Sequence, residues 1–181
     1  AYHVMLDVAP GVEVFGHLLL PRGVRGPTAA VVVQHGVNSL PDDITGVGHP
    51  KEACYHQVGR HLAEHGYVVF APLITHYYFG PSSNACKPVQ DEVLQGDAVG
   101  LNRIAMVAAK TQRIVDFLQT LPMVHPDRIG YYGLSYGGHS AIWNAPLVER
   151  LKVTVVSGNF NDQRAKLTSN TEGTSYLLHP Y

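Results

Sequence analysis

Alternating and continuous apolar runs divide the chain into predicted strands. The segments YHVMLDV and EVFGHLLL alternate apolar and polar side chains on either side of Pro10 and Gly11, which predicts an antiparallel hairpin. Four later runs are predicted strands: TAAVVVQHG, YVVFAPL, RIGYYG and KVTVVSGNF. The first is a continuous β-branched run, which is typical of a strand buried on both faces of a parallel sheet, and YVVFAPL is predicted to be the next buried strand. We therefore expect a hairpin followed by a mostly parallel sheet.

Helical periodicity lies between these buried strands. The pattern predicts helices near residues 52–65 and over 101–121, and a third over SYGGHSAIWNAPLVERL that is bent or ended at Pro146. Residues 74–100 are predicted to form a long loop. Because parallel strands need crossover helices, this order predicts an α/β fold: a mostly parallel central sheet with helices on both faces and an antiparallel N-terminal hairpin.

Composition excludes several classes of partner. The 181 residues, 45% of them hydrophobic, suit one compact domain. Thirteen Lys and Arg against fourteen Asp and Glu give a net charge of −1 without a basic cluster, so no nucleic-acid partner is expected. No apolar run reaches the roughly 18 residues of a membrane helix, which predicts a soluble protein with no membrane partner and leaves its compartment open. Cys54 and Cys86 are too few to define a disulfide framework, so idle thiols and a bridge both remain open.

The segment GYYGLSYGGHS places Ser135 where a predicted strand meets a predicted helix. Gly133, Ser135 and Gly137 match the G-x-S-x-G pattern of a nucleophile elbow, in which a sharp turn lifts the serine hydroxyl clear of the backbone. Residues two before and two after the serine approach each other across such a turn, which explains glycine at both positions. We predict that Ser135 is a nucleophile; the alternative is a tight structural turn.

Acyl transfer also needs N–H donors for the developing oxyanion. The Tyr136 amide lies in the first turn of the predicted helix, where amides lack intrahelical acceptors. The strand AAVVVQHG should lie beside the nucleophile strand and open at the same edge, so the Val37 amide, after Gly36, is the second candidate donor. An ordinary turn at His35 and Gly36 is the alternative.

The catalytic base and acid are harder to place. In chain order they should follow the serine, and only His139 and His179 do so. His139 is four residues down the same helix and is predicted to be a packing or capping residue, while His179 would need the tail to fold back over the site. Asp162 is a candidate acid, although a surface turn explains it as well. We expect the histidine and acid to lie beyond this chain.

A second motif, HLAEH from His61 to His65, matches the H-x-x-E-H spacing of inverted zinc proteases. No downstream acidic ligand is apparent and Gly66 ends the helix at once, so structural or solvent-facing histidines are the prediction. No metal and no organic cofactor is expected.

Several segments resemble the α/β-hydrolase superfamily, near its dienelactone-hydrolase-like and acetyl-xylan-esterase-like branch. They are PGVEVFGHLLLP, VVVQHGVNSLPDDITG, GYVVFAPL, TQRIVDFLQTLPMVHPDRIGYYGLSYGG and VVSGNFND, in that order. The resemblance implies a serine enzyme that hydrolyses small-molecule esters, with carbohydrate esters among the candidates, with Ser135 as nucleophile and the amides of Tyr136 and Val37 as oxyanion donors. The loop around residues 76–79 is expected to border the acyl or alcohol pocket.

The resemblance also implies two further strands, carrying the acid and the histidine, after VVSGNFND. Residues 1–181 are therefore predicted to be the N-terminal portion of a single α/β-hydrolase domain lacking its C-terminal strands. KVTVVSG would then be an exposed sheet edge, covered by a C-terminal remainder or by a second copy. The alternatives are an inactive short relative or binding module, and a serine peptidase, because GLSYGG also resembles the prolyl-oligopeptidase elbow.

Overall fold

The structure is a computed structural model that describes residues 1–36, 39–48, 55–73, 96, 98, 100–162 and 164–165. Six strands form one sheet in the order β1-β2-β4-β3-β5-β6, and four helices accompany them in the regular elements of the described chain. The elements are β1 (Tyr2–Ala9), β2 (Val12–Leu19), β3 (Thr28–Gln34), α1 (Pro41–Thr45), α2 (Val58–Glu64), β4 (Val68–Pro72), α3 (Arg103–Thr120), β5 (Val124–Leu134), α4 (Tyr136–Leu147) and β6 (Val153–Ser157).

The sheet confirms the predicted fold class. β1 and β2 form the antiparallel hairpin, and Gly11 supplies its turn at a φ of 75°. β2 pairs antiparallel with β4, whereas β3 pairs parallel with both β4 and β5, and β5 pairs parallel with β6. The parallel register brings the carboxyl ends of β3, β5 and β6 to the same rim of the sheet.

Two apolar clusters cover the two faces of the sheet. On one face, α3 contributes Ile114, Val115 and Leu118 to the larger cluster, which also contains Val32 and Tyr131 from the central strands. The smaller cluster, on the other face, is formed by α1, α2 and strand side chains; its buried members are Val33, Ile44, Tyr55, Ala63, Val69 and Ala71. Helices therefore lie on both faces, as the sequence predicts.

One helix boundary differs from the prediction, the end of α4 agrees with it, and the predicted long loop lies largely outside the described residues. The helix predicted near residues 52–65 begins only at Val58, because His56 and Gln57 adopt positive φ angles of 45° and 49° in the preceding turn. The helix predicted to bend or end at Pro146 is α4, which ends one residue later at Leu147. The predicted loop at residues 74–100 lies almost wholly outside the described residues, although the described positions 96 and 98 are helical.

His17 of β2 is buried beneath α1. Its Nδ1 lies 3.1 Å from Oγ1 of Thr45, whose own hydroxyl proton is donated to the Pro41 carbonyl at 2.7 Å. Nδ1 must therefore carry the proton and donate it to Thr45. Burial lowers the pKa of His17 and nearby His3 lowers it further, while Asp42 opposes both effects.

We expect the free energy of unfolding to fall as the pH decreases below about 6.5, the value for a histidine in the unfolded chain. The pKa of His17 is lowered in the folded state, so the unfolded state binds a proton first as the solution is acidified. This loss ends once the pH is below the folded pKa. Urea unfolding of the wild type and of His17→Gln, measured between pH 7.5 and 5, tests this expectation, and the exposed His65→Gln is the control. If the free energy of unfolding changed with pH by the same slope in the wild type and in His17→Gln, the expectation would be contradicted.

Among the described residues, none of the helices has the length and apolar character needed to cross a membrane.

Candidate active site

Ser135 occupies the turn between β5 and α4. Its φ of 57° and ψ of −117° place it in a region that non-glycine residues rarely adopt, and the residue is exposed. Such strain costs on the order of 1–3 kcal/mol and persists only where the surroundings enforce it. The strand–turn–helix arrangement predicted at this position is therefore present, with a serine at its tip.

Glycines make this turn possible. A β-carbon on Gly133 would overlap the backbone of Gly137, and one on Gly137 would overlap the carbonyl of Gln34. A β-carbon on Gly138 would approach the Ser157 carbonyl oxygen to 2.7 Å. The first turn of α4 therefore packs directly against the ends of β3, β5 and β6, and no larger residue fits at these contacts.

Residues at and after the end of β6 hydrogen-bond to the backbone of this turn. The Ser135 amide donates to the Ser157 carbonyl at 2.9 Å, and the Ser135 carbonyl accepts from the His139 amide at 3.0 Å. The buried Asn159 adds a third bond, from its Nδ2 to the Ser135 carbonyl at 3.2 Å. The backbone of Ser135 is thus held on both sides, which leaves its side chain as the part that faces outward.

The loop after β3 approaches the serine at Gly36. A β-carbon there would lie 2.9 Å from Cβ of Ser135, 3.2 Å from its Oγ and 2.6 Å from the hydroxyl oxygen of Tyr55. The Gly36 amide donates to the Tyr55 hydroxyl at 2.8 Å, and the Gly36 carbonyl accepts from Nδ1 of the buried His35 at 2.8 Å. Ser39 places its Oγ 3.1 Å from the same Tyr55 oxygen. Both polar groups of Gly36 are therefore fixed.

A buried polar cluster supports the elbow from below. The amide of Gln34 donates to Oγ of Ser140 at 3.1 Å and accepts a hydrogen bond from the Tyr131 hydroxyl. Ser140 in turn donates to the Tyr136 carbonyl at 3.1 Å. Burial raises the pKa of both tyrosines, the effect on Tyr136 being opposed by Arg103, so both phenols stay neutral near pH 7. These neutral contacts tie β3, β5 and α4 together.

Several predicted site residues lie outside the described residues. They are Val37, His179, the loop at 76–79, Cys54 and Cys86. The described neighbours of Val37, at positions 36 and 39, are the residues that contact Tyr55. The predicted second donor therefore stays a prediction.

The remaining candidates behave as local structural residues. His139 is buried in α4, packs with its ring centroid 5.7 Å from that of Tyr136, and accepts from the Trp143 indole at 3.4 Å. Asp162 is exposed and accepts from the Ala165 amide at 3.1 Å, which is the contact of a residue that caps the helical residues 164–165. Neither side chain forms a hydrogen bond with Ser135 among the described residues.

The HLAEH motif lies at the C-terminal end of α2. His61 and His65 are exposed, and Glu64 pairs with Arg60 at 2.8 Å; that hydrogen bond lowers the pKa of Glu64. No group of three metal-ligating side chains occurs in the part of the chain that the structure describes. The polar side chains of the motif are therefore exposed, whereas its Ala63 is buried in the smaller apolar cluster.

The sequence prediction missed Tyr55 and Asn159. Asn159 follows the carboxyl end of β6, and polar residues at that rim of a parallel sheet are a general signal of function that would have found it. Tyr55 carries no comparable signal, because it precedes α2 in the sequence and reaches Gly36 only through the packing of α2 under the sheet.

The sheet order, the helices on both faces and the serine turn after β5 define the chain as an α/β hydrolase in fold. The sequence profile of the Dienelactone hydrolase family matches residues 16–180. The chain belongs to the dienelactone hydrolase family.

Known proteins agree with this assignment. YtaP of Bacillus subtilis, named provisionally as a hydrolase, is 28% identical over 159 residues, which cover 84% of this chain and 50% of YtaP. A Bacteroides fragilis protein named provisionally as an acetyl xylan esterase superposes with a TM-score of 0.64 at 14% identity, over 81% of this chain and 41% of that chain. The dienelactone-hydrolase-like promiscuous phosphotriesterase P91, from metagenomic libraries, superposes with a TM-score of 0.60 at 18% identity, over 84% of this chain and 56% of P91. The chain thus spans about half the length of these relatives.

Proposed function

We propose that the protein is a serine carboxylic ester hydrolase with Ser135 as its nucleophile. The observation that carries the proposal is the strained, exposed conformation of Ser135 on a turn that glycines and β6 hold in place. Membership of a hydrolase family and the esterase names of structural relatives support the reaction class. Nothing in this chemistry calls for a metal or an organic cofactor.

The reaction follows from the position of the hydroxyl. Ser135 Oγ attacks the ester carbonyl carbon and gives its proton to a histidine outside the described residues. The tetrahedral intermediate collapses, the carbon–oxygen bond to the alcohol breaks, and the alcohol takes the proton from the histidine. Water then attacks the acyl-enzyme through the same base, which releases the acid and restores the serine.

Two amides are proposed to hold the oxyanion. The Tyr136 amide is adjacent to the nucleophile at the start of α4, where the helix dipole favours negative charge. The Val37 amide belongs to the same planar peptide unit as the Gly36 carbonyl, which His35 holds. Each such donor is worth roughly 10²–10³ in kcat in enzymes of this type.

Paired assays of the complete polypeptide test the reaction class. We expect hydrolysis of p-nitrophenyl acetate and of an acetylated xylo-oligosaccharide, and little activity on a chromogenic peptide or a phosphotriester. Faster cleavage of the peptide would replace the proposal by the peptidase alternative. Absence of turnover on all four would favour a binding module.

We further propose that residues 1–181 are the N-terminal portion of a longer α/β-hydrolase domain. β6 is the last strand of the described sheet, and Val153 and Val155 are 62% and 45% exposed. With Tyr132 and Leu62 they line a groove of about 410 Å³ on the face of β5 and β6 that no described helix covers. An apolar sheet face and a free edge of this kind are normally covered.

The natural polypeptide provides the test of this second proposal. Intact-mass measurement of the protein from its natural source should give a mass well above the 19.7 kDa of these residues. A mass of that value, together with a monomer in solution, would contradict it, and a dimer of that chain would mean that a second copy covers the edge.

A further inference from the structure

Tyr55 contacts both ends of the loop after β3. Its hydroxyl oxygen accepts from the Gly36 amide at 2.8 Å and lies 3.1 Å from Oγ of Ser39, in hydrogen-bonding range. Gly36 and Ser39 flank the loop on either side of residues 37 and 38. One phenol oxygen therefore joins the two ends of the loop.

The ring of Tyr55 is itself anchored. Tyr55 is 6% exposed and belongs to the smaller apolar cluster, with Val33 of β3, Ile44 of α1 and Val69 of β4. A phenol whose ring is packed among three separate elements is held in place by all three. The Gly36 amide and the Ser39 hydroxyl are therefore hydrogen-bonded to an oxygen with a fixed position.

The Tyr55 hydroxyl lies close to the proposed nucleophile, Ser135. The position of a β-carbon on Gly36 would be 2.6 Å from the Tyr55 oxygen and 3.2 Å from Oγ of Ser135. A shift of the Gly36 backbone by even a small distance would therefore change its separation from the serine. Electrostatic stabilisation of a transition state depends on donors placed within a few tenths of an ångström, so the tether bears directly on the rate.

We propose that Tyr55 is a positioning residue that fixes the Gly36 backbone beside Ser135, so that this backbone is preorganised for the transition state. The inference rests on the proposed ester hydrolysis. Tyr55 acts through Gly36 and Ser39, and its contribution is made in the transition state rather than in substrate binding.

The variant Tyr55→Phe in the complete polypeptide tests the inference, because it removes one oxygen and keeps the packed ring. We expect kcat for p-nitrophenyl acetate to fall about 10- to 100-fold with KM changed less than about 3-fold, since an interaction realised in the transition state lowers kcat selectively. In Ser39→Ala, kcat should fall by a smaller factor. In the double variant, kcat should fall no further than in Tyr55→Phe alone. Tyr67→Phe, a partly exposed tyrosine away from the loop, is the matched control and should match the wild type.

Amide hydrogen exchange of Gly36 gives a readout that does not depend on activity. We expect faster exchange in Tyr55→Phe than in the wild type, because the amide loses its acceptor. An unchanged exchange rate would overturn the proposed role of Tyr55 even if the enzyme hydrolyses esters. A loss in kcat that a fluorophosphonate titration fully explains by a lower fraction of active enzyme would overturn it as well. Failure of the proposed function is distinct: the wild type would then hydrolyse the ester no faster than Ser135→Ala, and the exchange measurement would still decide whether Tyr55 holds the loop.

Discussion

Replacing Ser135 with alanine is expected to lower kcat/KM for p-nitrophenyl acetate by roughly 10⁴- to 10⁶-fold in the complete polypeptide. The hydroxyl is the only group lost, and the proposed acyl-enzyme cannot form without it. Alanine meets the same backbone strain as serine at a φ of 57°, so the turn should be kept. Steady-state kinetics and thermal unfolding, measured on the same preparation, check both parts of the expectation.

Ser140→Ala is the control, because we expect it to lower stability and to leave most of the activity. Ser140 lies five residues further along, buried in α4, and bonds Gln34 and the Tyr136 carbonyl. We expect it to lower stability by about 1 kcal/mol through the lost hydrogen bonds while retaining most activity per folded molecule. If Ser135→Ala kept more than a tenth of wild-type activity, Ser135 would not be the nucleophile.

Gly133→Ala is expected to be the most destabilising single substitution at the elbow. A β-carbon at Gly133 would overlap the backbone of Gly137, which no side-chain rotation can relieve. Overpacking in a close-packed interior costs about 1–3 kcal/mol when side chains can move, and a backbone clash should cost at least about 3 kcal/mol. Urea unfolding of the variant measures the loss.

Gly130→Ala is the matched control on the same strand. A β-carbon there would lie 3.3 Å from the Val153 carbonyl oxygen and points to the uncovered groove, so a small adjustment should accommodate it. We expect a change of less than about 1 kcal/mol. Equal losses for the two variants would mean that glycine at position 133 serves the strand in general and not the tight turn.

The sheet and the elbow follow from local sequence. TAAVVVQHG and RIGYYG became the adjacent central strands β3 and β5 because buried parallel strands leave long β-branched and aromatic runs that few other structures produce. The glycines around Ser135 likewise reflect a steric demand within five residues of chain. These features were predictable because cause and effect lie close together in the sequence.

The contacts that refine the site are non-local and were missed. Tyr55 reaches Gly36 across 19 residues, and Asn159 reaches Ser135 across 24, so neither contact leaves a periodic pattern. The helix start at Val58 depends on two positive φ angles that the residue types do not favour. Such features are set by tertiary packing, which overrides local propensity.

Reaction of the complete polypeptide with a fluorophosphonate, followed by peptide mapping, is the sharpest test of Ser135 as the nucleophile. We expect one equivalent of label per chain, carried by the Ser135 hydroxyl, and no label after Ser135→Ala. Label on a different residue, or an unlabelled protein that still hydrolyses esters, would contradict it.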